Sequence, residues 1–457
     1  MIVMKFGGTS VMDPAAIQRA CSIVQGRLDR KPVVVVSAMS KATDQLLAMG
    51  RAAGSGDREQ ALQLSQALRH RHYSTARQLL GPAAYDQFHC TLEQEFDTLD
   101  ELLRGISAVG ELSPRTSDYV VSYGERLSSK MCAAAFSVMG VNSALVDARE
   151  VMITDGQHTK AVPHVQEIDA RCQAIMAPML EAGCVPVVGG FIGATMDGVQ
   201  TTIGRGGSDY SAALFGAALN AEVIEIWTDV DGMMTTDPRI CPEAHRIKVI
   251  SFEEAAELAY FGAKVLHPAT VLPAIRKNIP VRVLNSRNPA NEGTLIVARA
   301  PHSRSVLKAI AAKKGITIVD VTASHMLMAH GFLRQLFEVF DQYRCSVDVV
   351  ATSEVSVSMT VDSTQALPQI TAALQKIAEV KFKERNAIVC LVGENLREKP
   401  GIAAQVFTAL GDINVRMISQ GASEINITFV IDEAEVPEAI RRLHKHFFSS
   451  PDPEVFD

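Results

Sequence analysis

No apolar run in this chain is long enough to cross a bilayer. The longest, CVPVVGGFIGA at 184–194, falls well short of the ~20 residues a spanning helix needs. The chain opens directly on strand-like IVMKFGG, with no basic-then-apolar leader. There is no excess of positive charge: 44 Lys and Arg stand against 51 Asp and Glu, a net charge of -7, which argues against nucleic acid as the main partner. The one basic cluster, RHRH at 69–72, is expected to be a solvated helix face. Eight cysteines include no CxxC pair, which speaks for free thiols in a reducing compartment rather than zinc or disulfides, and so for a soluble cytoplasmic protein. The signatures of several enzyme classes are missing as well. No GK dipeptide exists, so there is no P-loop, and GRGGSD falls one glycine short of GxGxxG. HRD, DFG, GxSxG and HExxH are all absent.

What is present reads as an ordinary globular chain of 457 residues, 47% apolar and 21% charged, enough for two or three domains. Strand-like runs alternate with helix-like stretches through the first 300 residues: IVMKF (2–6), VVVVSAM (33–39), ALVDA (144–148), VPVVGGFIG (185–193), EVIEIWTDV (222–230) and VRVLN (281–285). Runs apolar on both faces predict an α/β fold, an open and mostly parallel sheet between helices. Residues 57–104 show no strand signal and read as a helical insertion, and ARAPHSRS at 298–305 marks a boundary. Beyond it GFLRQLFEVF at 331 matches GIAAQVFTAL at 401, and each is followed by an apolar strand-like run and a second helix. That is the ferredoxin-like βαββαβ pattern twice over. The expected domains are 1–300, 313–385 and 386–450, with 451–457 a frayed tail.

The first strand ends in KFGGTS, where Gly7 and Gly8 would let the backbone close around phosphate beside the fixed charge of Lys5. TTIGRGGSDYSA at 201–212 opens a second glycine-rich loop into a helix start. Two such loops on one open sheet suggest a nucleoside triphosphate and an acceptor meeting at the strand C-termini. A glycine loop that merely turns the chain is the alternative. Thr228 and Asp229 in WTDVDG end a strand that could hold base and ribose, and Arg239 in TTDPR could reach phosphate. Asp231 and Gly232 alone read as an acidic turn, and His267 in FGAKVLHP as a structural histidine. Glu125 in VSYGERLSS stands at an expected helix start, either as a cap or as a partner for an ammonium group.

In order and spacing, KFGGTS, VVSAMSKATDQL, YGERLSS, TIGRGGSDY, WTDVDGMMTTDPR and FGAKVLHPAT resemble the aspartate kinases, and the tandem repeats resemble that family's ACT regulatory domains. The resemblance covers nearly the whole chain. It implies an amino-acid kinase catalytic domain, a single activity without a homoserine dehydrogenase, and phosphoryl transfer from ATP with Mg2+ to the side-chain carboxylate of L-aspartate. It implies catalytic roles for Lys5 and Asp209, with Asp209 orienting Lys5. Arg205 would grip the α-carboxylate and Glu125 the ammonium group, with Thr43, Gly206, Gly207 and Ser208 lining the pocket. ATP would be held by Lys5, Gly7, Gly8, Thr228, Asp229, Met234, Arg239 and Lys264, although Met234 stands where members of the family carry tyrosine. No protein side chain is assigned to a metal. In lysine-sensitive members the first ACT repeat binds the effector, and the matching residues are Met326, Ala329, Phe332, Leu333, Ser346, Val347, Asp348, Ser353 and Glu354, with Ala329 in place of a serine. Lysine is the expected effector; threonine, a combination or insensitivity are the alternatives. A homodimer or dimer of dimers through the ACT domains is expected. A glutamate or N-acetylglutamate kinase, and an amino-acid sensor without catalysis, are the competing functions.

Overall fold

The all-apolar runs become the centre of a sheet. The computed structural model describes residues 1–204, 206–262, 268–301, 305–323 and 330–457. They divide into two compact units, Met1–Met233 with Val265–Arg299, and Met234–Lys264 with Ala300–Asp457. In the first unit lie strands β1 (Ile2–Phe6), β2 (Pro32–Val36), β3 (Ser143–Val146), β4 (Val185–Gly189), β5 (Val223–Thr228), β6 (Val281–Asn285) and β7 (Thr294–Val297). Their order is β3-β4-β2-β1-β5-β6-β7. Every pair is parallel except β6 with β7. β1 and β2 are buried along their whole length, as a sheet covered on both faces requires.

Strand alternation then decides where each side chain goes. Ile2, Met4 and Phe6 join Val34, Val36 and Trp227 in one apolar cluster with Leu46, Leu68, Phe96, Tyr123 and Phe136. Those last residues come from α2 (Ala42–Gly54), α3 (Arg58–Val109) and α4 (Pro114–Val138), which follow α1 (Pro14–Gln25). α3 is two helices joined across a break at Gly81, followed by Pro82. Lys5, of opposite parity, faces the other side, where α6 (Gly207–Ala218) lies against β1, β2 and β5; α5 (Val165–Glu181) precedes it.

Two expectations are corrected here. RHRH is not a solvated face: His72 is fully buried, donates from Nδ1 to the Leu68 carbonyl at 2.9 Å, and burial lowers its pKa to about 4. Arg71 reaches inward to the carbonyls of Ser40 and Met12. Nor is the C-terminus frayed. Val455 and Phe456 are buried, Phe456 bridges Ile247, and Asp457 pairs with Arg246, so apolar anchoring outweighs end fraying.

The second unit contains α7 (Phe252–Tyr260) and a six-stranded antiparallel sheet. Its strands are β8 (Leu307–Thr322), β9 (Val350–Thr352), β10 (Ser356–Val361), β11 (Glu379–Gly393), β12 (Met417–Gln420) and β13 (Asn426–Asp432), in the order β9-β10-β8-β11-β13-β12. Helices α8 (Phe332–Gln342), α9 (Leu367–Leu374), α10 (Ile402–Leu410) and α11 (Val436–Phe447) complete the two modules. The modules share their long strands. The first half of β8 pairs with residues 387–393 of β11, and the second half pairs with 379–383 and with β10. The register shifts around Gly315, φ 76°, with Arg385 opposite at φ 56°. The first strand of the second module therefore precedes the first module in the chain.

Candidate active site

At the C-terminal ends of β1, β2, β4 and β5, loops converge on Lys5. Its ammonium group lies 2.6 Å from Oδ1 of Asp209, in the first turn of α6, and both side chains are nearly buried. The Gly7 N–H donates to the Trp227 carbonyl at 2.9 Å, and the Ser40 N–H to the Gly8 carbonyl at 3.0 Å. A Cβ on Gly8 would stand 2.9 Å from the Ala38 oxygen, so only glycine lets the two loops touch.

Glu125 is not at a helix start. α4 begins at Pro114, with Ser113 accepting the Thr116 N–H, so Glu125 lies in mid-helix and caps nothing. Its Oε1 accepts the Ala38 N–H at 3.0 Å, whereas Oε2 is buried without a hydrogen-bond partner among the described residues. Burial pushes its pKa up to about 8, against the opposing pull of the Ala38 N–H, its own N–H and the Lys5 charge. A buried carboxylate with one empty oxygen is an expensive arrangement unless a cation arrives to complete it. Thr43, in the first turn of α2, has its hydroxyl 3.9 Å from where a Cβ on neighbouring Gly124 would sit.

The second glycine loop closes the same cluster. Gly206 adopts φ 72°, a left-handed conformation that starts α6, and the Asp209 N–H returns to its carbonyl at 3.0 Å. Gly207 is buried and Ser208 half-buried. A Cβ on Gly190 would fall 2.7 Å from Cα of Ser208, so the end of β4 fits against this turn only as glycine. Arg205 lies outside the described residues. Thr228 closes β5, its hydroxyl 3.3 Å from Asp229 Oδ1, and Asp231 accepts the Asn285 amide at 2.9 Å. The sequence reading overlooked Ala38 and Gly190. Paired glycines directly after the apolar run VPVV are a signal that could have found the latter.

The remaining assigned residues belong to the second unit. Met234 bridges Arg246, and Arg239 is exposed and paired with Asp237 at 2.7 Å. Lys264, Met326 and Ala329 lie outside the described residues, as does His267 of the first unit. Phe332 is buried in the first turn of α8, and Leu333 beside it is exposed. Ser346 and Glu354 are exposed, Val347 is half-buried, and the Ser353 hydroxyl is 2.7 Å from that of Ser356. The Asp348 carboxylate is almost fully buried and already engaged: it accepts the Tyr260 hydroxyl at 2.7 Å and pairs with Lys313 at 2.9 Å. Lys313 also meets Asp362 at 3.0 Å and lies over the Tyr260 ring.

Comparison with known proteins points to one family. A model of the amino acid kinase family matches residues 1–285, and an ACT domain model matches 389–447. Aspartokinase 1, chloroplastic, of Arabidopsis thaliana is 38% identical over 98% of this chain and 80% of its own length. Lysine-sensitive aspartokinase 3 of Escherichia coli is 35% identical over 98% of this chain and 99% of its own. Among solved structures, E. coli aspartokinase III in complex with aspartate and ADP (R-state) superposes with a TM-score of 0.85 at 34% identity, covering 98% of this chain and 100% of that one. The same enzyme with lysine and aspartate (T-state) gives 0.84 at 35% identity, covering 98% and 99%.

Proposed function

The chain belongs to the aspartokinase family, and from that premise we propose that it transfers the γ-phosphoryl group of ATP to the side-chain carboxylate of L-aspartate, giving 4-phospho-L-aspartate. The acceptor is already a competent nucleophile, so the site has no proton to remove. Its work is to bring two anions together and to neutralise charge as it moves between them.

Lys5, fixed by Asp209, supplies that charge beside the transferred group, with the Gly7–Gly8 turn admitting phosphate to the backbone. Glu125 takes the ammonium group of aspartate and Arg205 its α-carboxylate, with Thr43, Gly206, Gly207 and Ser208 around them. Thr228 and Asp229 meet the nucleotide; the nucleotide roles of Met234, Arg239 and Lys264 rest on the family resemblance. Mg2+ would enter with the nucleotide and neutralise phosphate charge.

The observation that carries this reading is the buried Oε2 of Glu125, which has no hydrogen-bond partner among the described residues. An acceptor with a free ammonium group completes it, and an acetylated acceptor does not, which disfavours N-acetylglutamate. Lysine is proposed as the effector, held in the first ACT module with Asp348 facing its positive charge, in a homodimer or dimer of dimers joined through the ACT domains. Such an effector inhibits by its affinity difference between two states. All eight thiols are free, which fits the cytoplasm, and no helix among the described residues is long and apolar enough to cross a membrane.

Trapping acyl phosphate with hydroxylamine tests the whole reading. With Mg-ATP, hydroxamate is expected from L-aspartate and not from L-glutamate or N-acetylglutamate, and lysine is expected to suppress it. No hydroxamate from any acid would return the chain to the sensor class.

A further inference from the structure

Two turns before Glu125 on the same helix stands a second buried carboxylate, which the phosphoryl-transfer chemistry does not use. Asp118 is 2% exposed and surrounded by donors from two distant segments. Its Oδ1 accepts the Thr202 hydroxyl at 2.6 Å, and its Oδ2 accepts Nδ1–H of His158 at 2.9 Å. The main-chain N–H of Thr159 is shared between both oxygens, at 3.1 and 2.9 Å. Thr159 has φ 71°, a left-handed conformation that a β-branched residue adopts only when its surroundings impose it. That backbone strain is maintained at an exposed position, where a plain turn would carry glycine or asparagine.

What the strained residue touches shows what its placement serves. Its carbonyl oxygen lies 3.3 Å from where a Cβ on Gly204 would sit, and Gly204 itself is left-handed at φ 81°. The Ala161 N–H donates to the Thr202 carbonyl at 3.0 Å, and the hydroxyls of Thr154 and Thr201 meet at 2.7 Å. Residues 154–161 thus lie along the strand that feeds the glycine-rich loop carrying Arg205, and Asp118 ties both to α4. The same helix bears Glu125, so one rigid element sets the spacing between the ammonium partner and the loop.

We propose that Asp118 is a positioning residue for the acceptor site: through Thr202 and the strained 158–159 turn it holds Ile203 and Gly204, at the entry to the glycine-rich loop, in register with Glu125. This rests on the reading of that loop as the aspartate-binding segment. The test compares Asp118→Asn, Thr202→Val and Thr159→Gly, the last of which keeps the N–H and relieves the strain. In Asp118→Asn and Thr202→Val the KM for L-aspartate should rise about tenfold while the KM for ATP stays within about twofold. Thr159→Gly should leave both within about twofold. In the ligand-free protein, amide hydrogen exchange across 203–209 should quicken in Asp118→Asn and Thr202→Val but not in Thr159→Gly.

An aspartate KM unchanged in both Asp118→Asn and Thr202→Val, or KM values for aspartate and ATP rising together with a lowered melting temperature, would overturn the proposal. If Asp118→Asn does not fold, Thr202→Val, which removes a single bond, decides. If the wild type makes no hydroxamate from aspartate, the acceptor assignment falls, and the exchange measurement still decides whether Asp118 holds the loop.

Discussion

Replacing Glu125 with glutamine should flatten the pH dependence of stability while weakening substrate binding, and the size of each follows from burial. The carboxyl is raised from 4.5 to about 8, chiefly by desolvation. A raised acid binds its proton more tightly in the native than in the unfolded chain, so native stability falls as pH rises. The penalty is absent below about pH 4.5, grows through the window up to about 8, and is complete above it. At ~1.4 kcal/mol per unit, the wild type should lose about 3 kcal/mol relative to a non-titrating side chain between pH 5 and pH 8. Glutamine removes that slope. Its amide leaves a donor where Oε2 has no partner among the described residues, a pH-independent loss of ~1–3 kcal/mol, so the difference between the two slopes is the informative quantity. Urea melts of both proteins, each without ligand, at pH 5, 6.5 and 8 would measure it. At the same time the KM for aspartate should rise ~30-fold or more, the effect of removing one partner of a buried charge pair. Parallel stability curves, to within ~1 kcal/mol, would refute the claim that the free site holds an uncompensated carboxyl.

Lys5→Met should lower kcat by ~100-fold or more and destabilise the protein by leaving Asp209 without its cation; adding Asp209→Asn should restore the melting temperature but not the activity. Gly190→Ala should raise the aspartate KM by ~10-fold or more in the hydroxamate assay, because its Cβ would press on the Ser208 backbone at 2.7 Å. A KM unchanged in a folded Gly190→Ala protein would mean that this turn shifts without consequence. Lys313→Met should lower the lysine concentration giving half-inhibition by ~5-fold or more, since Lys313 occupies the carboxylate proposed for the effector, and Asp348→Asn should raise it. Equal inhibition curves for wild type, Lys313→Met and Asp348→Asn would remove Asp348 from the effector site.

Much of the first unit was legible because its signals are local. β1, β2 and β4–β6 all fall within apolar runs visible in the sequence, and one ionisable residue in such a run, Lys5, marks a face by parity alone. The repeat likewise located α8 and α10, each begun by a glycine at positive φ, Gly331 and Gly401. What was not legible is pairing. LKAIAAKK at 307–314 was assigned to no strand, and its partner lies 73 to 86 residues on, across a complete module. No periodicity in 313–385 or 386–450 reveals that one module is threaded through the other.

The same distinction explains why Glu125 and Asp118 looked different in the sequence although they sit on one helix. Glu125 follows a glycine in a recognisable motif, whereas Asp118 sits in SPRTSDYVV, where an acid in the second turn of a helix needs no explanation. Its significance lies in donors forty and eighty-four residues away, and in the φ of Thr159, a property of the backbone that residue type argues against. A threonine held left-handed is local structure in conflict with local preference, and such conflicts persist where the fold imposes them. The imposed geometry leads from Asp118 through Thr159 and Thr202 to Gly204, beside the arginine assigned to the substrate. Glycines make the acceptor loop permissive, and a loop so permissive needs fixed points outside itself to hold one conformation. Asp118 is placed to be one of them.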